Sequence, residues 1–300
     1  MPNLKEVRIR ISSIISTQQI TSAMKMVSAA KLRRAQDAII LMRPFEAKLK
    51  EILDNLILSA GSSAGVFAKT RPAEKVIIAV ITSNRGLCGG FNSNVIKAVN
   101  QLVRDKYAEQ AKKGNVSFAC IGKKGSDFYK RNNAKIFASR NELWDKLTYD
   151  NVAEFAGEIL KLYAEGKVDR VELVYNKFKN AATQIICADQ LLPFSAEASV
   201  DKAKSAAPKE GIGKPDYIFE PDKEEIIQSL IPYALKVRVY RSMLDSYAAE
   251  HGARMTAMHK ATDNAGEILK SLKLTYNKAR QAAITKEILE IVGGAEAINN

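Results

Sequence analysis

The stretch from Pro221 to Ile298 constrains the fold of this chain more than any other part of its sequence. After Pro232 it contains no further proline, and apolar or small side chains recur at a three–four spacing. These side chains are Leu230, Tyr233, Val237, Tyr240, Leu244, Tyr247, Met258, Ala261, Ala265, Ile268, Leu272, Ala279, Ala282 and Leu289. The spacing is typical of a helix that packs one face against a partner helix. Such a helix would span roughly 110 Å, so we expect it to project from a domain or to pass through another body.

A second long helix is predicted at the other end of the chain, from Leu4 to Leu58. Its apolar positions follow the same spacing, and we expect the two helices to pair in antiparallel fashion. Pro44 should kink or break the first helix. Between Gln18 and Ser28 the heptad positions are polar. Two interpretations stay open: a stutter that rotates the packing face toward Ile20, Met24 and Val27, or a segment that also serves a second partner.

The middle of the chain alternates strands and helices. Strands are predicted at Val76–Thr82, Val116–Gly122, about 135–138, Val171–Tyr175 and Thr183–Leu192, with helices at 93–112 and about 150–165 between them. This order indicates a Rossmann-like open α/β sheet, mostly parallel. The predicted division is a coiled-coil helix at 1–58, an α/β domain at 73–195, a linker or insertion at 196–220 and a coiled-coil helix at 221–300.

Composition indicates the kind of partner that the chain binds but does not choose among nucleic acid, membrane and protein. The net charge is +13, as expected for a chain that binds nucleic acid, a membrane surface or an acidic protein. No apolar run is long enough for a transmembrane helix, and the N-terminus resembles neither a signal peptide nor a transit peptide. The three cysteines, Cys88, Cys120 and Cys187, are expected to be buried and reduced.

No catalytic or cofactor site emerges from the motifs. The glycine-rich stretch Ser83–Asn92 follows a strand and precedes a helix, but it lacks both the dinucleotide-binding and the P-loop spacing, so it is interpreted as a structural turn. The two histidines, His251 and His259, have no further ligands at metal-binding spacing. We therefore expect no cofactor, no metal and no catalytic residue.

Four segments of the chain resemble the gamma subunit of F-type ATP synthases, in the order that the family has. They are Thr17–Gln36 (TQQITSAMKMVSAAKLRRAQ), Ser83–Asn92 (SNRGLCGGFN), Glu250–Ala265 (EHGARMTAMHKATDNA) and Tyr276–Ala295 (YNKARQAAITKEILEIVGGA). The resemblance covers essentially the whole chain. It departs at 196–216, and the dithiol segment of the chloroplast relatives is missing.

The resemblance implies a central rotor shaft. Rotation of the membrane c-ring would be transmitted to a hexamer of three alpha and three beta subunits for ATP synthesis, and in reverse during hydrolysis-driven ion pumping. The α/β domain would contact the epsilon subunit and the c-ring. The implied location is the cytoplasmic face of the bacterial plasma membrane, or the matrix side for a processed mitochondrial chain.

The resemblance also implies which residues contact the hexamer. Met24 and Lys25 would face an acidic loop of the beta subunit, and a second group would contact other beta-subunit loops. That second group is Arg254, Arg280, Gln281, Thr285 and Glu287. The apolar bearing around the end of the shaft would be formed by Ile284, Ile288, Ile291 and Val292.

Two other functions are compatible with parts of the sequence. A coiled-coil adaptor or nucleic-acid-binding scaffold would use the positive charge, but it should also present stacking aromatic residues on the helices, whereas the one tryptophan, Trp144, lies in the central domain. A nucleotide-binding α/β enzyme with helical arms would need a phosphate motif that the chain lacks.

Overall fold

The computed structural model describes residues 4–60, 66–194 and 223–299. Along the chain, the central α/β region lies between two long helices, α1 (Leu4–Ala60) and α6 (Lys223–Asn299). Between them lie α2 (Phe91–Lys106), α3 (Ala108–Lys112), α4 (Lys123–Arg131) and α5 (Tyr149–Ala164). Short 3₁₀ turns occur at Val66–Ala68 and Asn141–Trp144. The predicted linker at 196–220 lies outside the described residues.

Five strands form a single sheet in the order β3-β2-β1-β4-β5. They are β1 (Val76–Ile81), β2 (Val116–Ile121), β3 (Ile136–Ser139), β4 (Arg170–Phe178) and β5 (Gln184–Leu192). The pairs β3–β2, β2–β1 and β1–β4 are parallel, and β5 is antiparallel to β4. This confirms the predicted open and mostly parallel α/β sheet.

Both faces of the sheet are covered, which explains the continuous apolar sequence of β1. Ile77 and its neighbours on one face pack against α5 and α6, where Phe155 and Ile231 are buried. On the other face Ile78 packs in a cluster with Val99 of α2. All six residues of β1 are buried. The sheet therefore has its own two-sided core.

Contacts along the chain divide it into two compact units. The first comprises residues 1–30 and 254–300, and the second comprises residues 31–253. Each long helix contributes to both units. In the second unit α1 and α6 are joined by Arg241, whose Nη1 lies 2.5 Å from Oε1 of Glu46. The side chains of both residues are half-buried.

Three local predictions need correction. Helix α1 is continuous through Pro44, because Ile39 and Leu49 on either side of the proline are buried and maintain the helix packing. The helix predicted at 93–112 is divided at Tyr107, which leaves the helical conformation with φ −129°. Its buried phenol donates a hydrogen bond to Oε1 of Glu172 over 2.6 Å. Cys88 and Cys120 are buried as predicted, but Cys187 is only half-buried; none of the three thiols forms a disulfide.

Candidate partner-binding surfaces

The two long helices pair in antiparallel fashion in the first unit. The guanidinium of Arg8 donates to the hydroxyl of Tyr276 over 2.9 Å, and the hydroxyls of Thr21 and Thr262 lie 2.8 Å apart. A Cβ added at Gly266 would lie 3.3 Å from Nε2 of Gln18, so this glycine permits close approach of the helices. As the chain advances along α1, its partners move back along α6 by nearly the same number of residues.

This register has a consequence at the C-terminal end of α6. The described part of α1 begins at Leu4, which the register places opposite the residues near Arg280. Beyond that point no described residue of α1 remains to cover α6. The side chains of Ile284, Ile288 and Ile291 are accordingly 45%, 54% and 72% exposed. We call residues 284–292 the unpaired tip; its apolar side chains have no neighbour among the described residues of α1.

The polar interruption of α1 lies in the helix interface and does not rotate it. Thr21 and Ser28 are buried, with 9% and 2% of their surface exposed, and they continue the row of packing positions that begins with Val7. Ile20 and Val27 are instead 60% and 57% exposed. The stutter interpretation is therefore wrong. The outward-facing apolar side chains favour the second interpretation, in which this segment serves another partner.

Hydroxyl groups can occupy this interface because each one is satisfied locally. Thr21 Oγ1 lies 3.0 Å from the carbonyl oxygen of Gln18, and Thr262 Oγ1 lies 2.8 Å from that of Met258. A buried hydroxyl with a hydrogen-bond partner avoids the desolvation penalty that an unpaired one would carry. The small residue Ala265, also buried, keeps the helices close at this level.

The predicted contact residues occupy different environments. Met24 and Lys25 are half-buried on α1, at the level where Thr262 packs. Most of the others lie exposed near the end of α6: Arg280, Gln281, Ile284, Thr285, Glu287, Ile288, Ile291 and Val292. In the antiparallel register, Met24 and Lys25 lie near Thr262, far along the helix pair from this group. Arg254 is only 6% exposed in this chain, so a partner could contact it only after its side chain is uncovered.

Two heptad positions of α6 were assigned wrongly to the helix interface. Ile268 is 48% exposed and Leu289 is 65% exposed. Leu289 lies in the unpaired tip, where the heptad pattern continues beyond the residues of α6 that the described part of α1 reaches. Met26 of α1 is not among the predicted contact residues, yet it is 65% exposed beside Val27. Its place beside the outward-facing Ile20 and Val27 follows once Thr21 and Ser28 are assigned to the helix interface.

The glycine-rich loop Ser83–Asn92 has a structural role in the second unit. The amide of Ser83 donates to Oδ1 of Asn92 over 2.9 Å, and Nδ2 of Asn92 donates to Sγ of Cys88 over 3.2 Å. Cys88 and Phe91 pack against Ala249 of α6. These contacts support the interpretation of the loop as a structural turn that fixes α6 to the sheet.

A buried polar group strengthens the same contact of α6 with the sheet. The indole nitrogen of Trp144 donates to a carboxylate oxygen of Glu250, and the ring of Trp144 meets that of Tyr247 edge-on, with 5.8 Å between centroids. The ring of His251 lies 4.5 Å from that of Tyr247. Asp245 lies before Glu250 on the same helix. Burial raises the pKa of its carboxyl group, which lies 3.7 Å from Nε of Arg241. The sequence did not indicate that the single tryptophan binds α6.

No candidate metal site or membrane span is found in the described parts of the chain. Nowhere in residues 4–60, 66–194 and 223–299 do three or more histidine, cysteine or acidic residues come together as metal ligands. None of the helices within these ranges has a stretch that is long and apolar enough to cross a bilayer.

The family model described as ATP synthase matches residues 3–298 of the chain. The ATP synthase gamma chain of Cytophaga hutchinsonii is 52% identical, and that of Flavobacterium johnsoniae is 53% identical; both alignments cover 100% of each chain. The chain belongs to the ATP synthase gamma chain family. This confirms the family that the four sequence segments predicted. It also identifies the chain as the central rotor subunit of the F1 sector, a role that neither the adaptor nor the nucleic-acid scaffold has.

Solved structures show that the fold is the one found in gamma subunits. A chain of the Euglena gracilis mitochondrial ATP synthase, in an assembly of OSCP, F1 and c-ring, matches with a TM-score of 0.69 at 22% identity over 98% of this chain and 94% of its own. A chain of the central stalk and c-ring structure of the Tetrahymena thermophila mitochondrial enzyme matches with a TM-score of 0.57 at 25% identity. That match covers 81% of this chain and 99% of its own. Long terminal helices with a central mixed sheet are thus the architecture of this gamma chain.

Proposed function

We propose that this gamma chain transmits rotation through direct contacts of α1 and α6 with a hexamer of three alpha and three beta subunits, and that it has no catalytic site of its own. The observation that carries the proposal is the unpaired tip, where apolar side chains are exposed beyond the residues that the described part of α1 reaches. Fully burying one isoleucine contributes about 1.5–3 kcal/mol. A surrounding partner would therefore be stabilised by Ile284, Ile288, Ile291 and Val292.

The proposed mechanism depends on differential binding. The two helices present an asymmetric surface, with the apolar stripe that includes Ile20 and Val27 on α1 and a mixed surface on α6. Each angle of such a shaft brings different side chains to a given beta subunit and favours a different conformation of that subunit. Rotation would thus shift the three catalytic sites through their states one after another. The reverse coupling follows, because a coupling free energy acts in both directions.

Charged and polar residues supply the angular specificity in this proposal. Arg280, Gln281, Thr285 and Glu287 are exposed next to the apolar tip and would exchange hydrogen bonds with beta-subunit loops. Hydrogen bonds to charged groups are worth about 1.5–3 kcal/mol, enough to favour one angle over another. Met24 and Lys25 would meet an acidic loop of the beta subunit. Arg254 joins the contact set only if partner binding uncovers its side chain.

The proposed roles of the four chain segments follow from this arrangement. The helices at 1–58 and 221–300 form the shaft, and the α/β domain at 73–195 contacts the epsilon subunit and the c-ring. The segment at 196–220 is proposed as an insertion between them. The complex would lie at the cytoplasmic face of a bacterial plasma membrane. The Ser83–Asn92 loop lacks both the P-loop and the dinucleotide-binding spacing, and this supports the absence of a nucleotide site.

Native mass spectrometry of the purified complex tests this function. We expect one copy of the chain with three alpha and three beta subunits, and we expect no binding of labelled ATP to the chain alone. Removing residues 284–300 should lower the fraction of chain that is recovered with the hexamer. Equal numbers of all three subunits, or tight ATP binding by the isolated chain, would contradict the proposal.

A further inference from the structure

Glu46 places a charge in the row of α1 side chains that packs inside the second unit. The apolar members of this row are at most 8% exposed; they are Leu32, Ala35, Ile39, Leu49 and Leu53. Position 46 continues the three–four spacing between Ile39 and Leu49, and the Glu46 side chain is 24% exposed. A single polar residue at such a position specifies the register of paired helices at a cost in stability. We therefore expect Glu46 to serve the arrangement of α1 more than its stability.

Arg241 of α6 binds Glu46 from the facing helix. Its Nη1 lies 2.5 Å from Oε1 of Glu46, and its Nε lies 3.7 Å from Oδ2 of Asp245, four residues further along α6. The Asp245 side chain is 4% exposed, and its Oδ2 has no hydrogen-bond partner among the described residues. Replacing a buried ion cluster by apolar residues of similar volume is often neutral or stabilising, whereas a planar guanidinium holds its partners at fixed positions. The cluster thus contributes geometry rather than stability.

The backbone of α1 is weakened beside this pair. Pro44 has no amide hydrogen, so the helix lacks one backbone hydrogen bond there. Leu41 and Phe45 are 77% and 44% exposed, and the Phe45 ring meets that of Tyr233 edge-on with 6.3 Å between centroids. Apolar packing alone gives this turn little fixed orientation, because such contacts are non-directional. The ion pair with Arg241 supplies the directional contact.

We propose that Arg241 is a positioning residue for rotation, which fixes α1 to α6 in one register so that a turn applied to the α/β domain carries both helices without slip. Helix α6 is itself fixed to that domain by the hydrogen bond from Trp144 to Glu250. Cys88 of the glycine-rich loop also packs against Ala249 of α6. The inference rests on the proposed function, because it takes from it that rotation enters through the α/β domain and leaves through the two helices.

An apolar replacement of the cluster separates positioning from stability. The triple variant Glu46→Leu, Arg241→Met, Asp245→Asn removes all three charges and keeps side chains of similar size. In denaturant titrations the full chain should be at least as stable as the parent, because no buried charge then needs a partner. In the assembled complex in membrane vesicles, the variant should hydrolyse ATP within twofold of the parent rate but pump at least threefold fewer ions per ATP.

Arg238→Met is the matched control. Arg238 is also half-buried and lies about one turn earlier on α6, and no ion pair joins it to a carboxylate within the described ranges. The control makes the same substitution as at Arg241 on the same helix. It should keep the parent ratio of ions pumped per ATP.

Distances between spin labels measure the register itself. Labels at Ala47→Cys and Lys112→Cys, in a chain that also carries Cys187→Ser, report the position of α1 relative to the α/β domain. Both sites are exposed, and the other two cysteines are buried. The parent should give one narrow distance distribution, and the triple variant should give one at least twice as broad.

Three results would overturn the proposal: an unchanged ratio of ions pumped per ATP in the triple variant, a distance distribution as narrow as that of the parent, or a joint loss of stability, hydrolysis and pumping. The last result would give Arg241 a structural role only. None of them bears on the proposed function. That function fails instead if the parent complex hydrolyses ATP without turning the chain.

Discussion

The hydroxyl oxygens of Thr21 and Thr262 lie 2.8 Å apart across the interface of α1 and α6. Thr21 is 9% exposed, and each hydroxyl also lies within hydrogen-bond distance of a carbonyl oxygen one turn back in its own helix. The pair therefore joins two helices through polar groups at positions where a coiled coil usually has apolar ones. It also fixes the register of the helices, since a shift by one residue would leave both hydroxyls without their partner across the interface.

Replacing both threonines tests this contact. Thr21→Val and Thr262→Val should each lower the free energy of unfolding by about 0.5–1.5 kcal/mol. The double variant should lose less than the sum of the two, because the hydrogen bond between the hydroxyls is already lost in either single variant and cannot be lost twice. Chemical denaturation of the four proteins gives the coupling energy, expected at about 1 kcal/mol. Strictly additive losses would contradict a direct interaction between the two hydroxyls.

The buried carboxyl of Asp245 should make stability depend on pH. Burial raises the pKa of Asp245, so the folded chain holds this proton more tightly than the unfolded chain does. The corresponding contribution to stability is present below the unfolded pKa of about 3.9 and is lost as the pH rises through the higher folded value. Asp245→Asn cannot lose a proton, and Arg241 retains Glu46 as its partner.

Stability of the Asp245→Asn variant should therefore improve, relative to the parent chain, as the pH is raised from the acid range toward neutrality. Denaturant titrations at a series of pH values measure this difference. A difference that stays constant across the series would show that Asp245 has the same pKa in the folded and the unfolded chain.

Charge reversal at Lys25 tests the proposed contact with an acidic loop. Lys25→Glu should weaken the coupling between ATP hydrolysis and proton pumping, because like charges would then face each other. Lys112→Glu makes the same charge change at an exposed position of α3 and should leave pumping unaffected. Fluorescence quenching in membrane vesicles measures the pumping. Normal pumping by the Lys25→Glu complex would remove Lys25 from the contact set.

The exposed residues Arg280 and Gln281 test the polar contacts next to the tip. Replacing both by alanine should lower the rate of ATP synthesis at least tenfold, since each lost hydrogen bond to a charged group costs about 1.5–3 kcal/mol. Lys286→Ala alters a neighbouring exposed position that carries no proposed contact and should have little effect. The two variants should fold equally well, because none of the three side chains is buried. An unchanged synthesis rate in the double variant would contradict the assignment.

The heptad spacing was sufficient to predict both long helices and their antiparallel pairing, and the alternation of strand and helix patterns was sufficient to predict the sheet. The position of Leu289 could not be predicted in this way. Its spacing satisfies the heptad pattern, but its exposure depends on where the partner helix begins. Thr21 and Ser28 were misjudged for a related reason. A polar side chain can lie in a helix interface when a partner is in reach, and the register that decides this is a tertiary property.

Tyr107 shows a different limit of sequence interpretation. Nothing in residues 93–112 signals a helix break, and the break occurs because the phenol reaches Glu172 of β4, which lies 65 residues further along the chain. Such a long-range contact overrides local helix propensity. The contact residues proposed near the end of α6, from Arg280 to Val292, follow from the family resemblance. Their exposure is now explained by the register of the two helices.

Rotation of the chain within the assembled complex tests the central claim most directly. With the alpha and beta subunits fixed to a surface and a probe attached through Lys112→Cys, addition of ATP should make the probe turn in one direction. It should pause at as many angles per turn as the hexamer has beta subunits. Sustained ATP hydrolysis with the probe fluctuating about a single fixed angle would contradict the account.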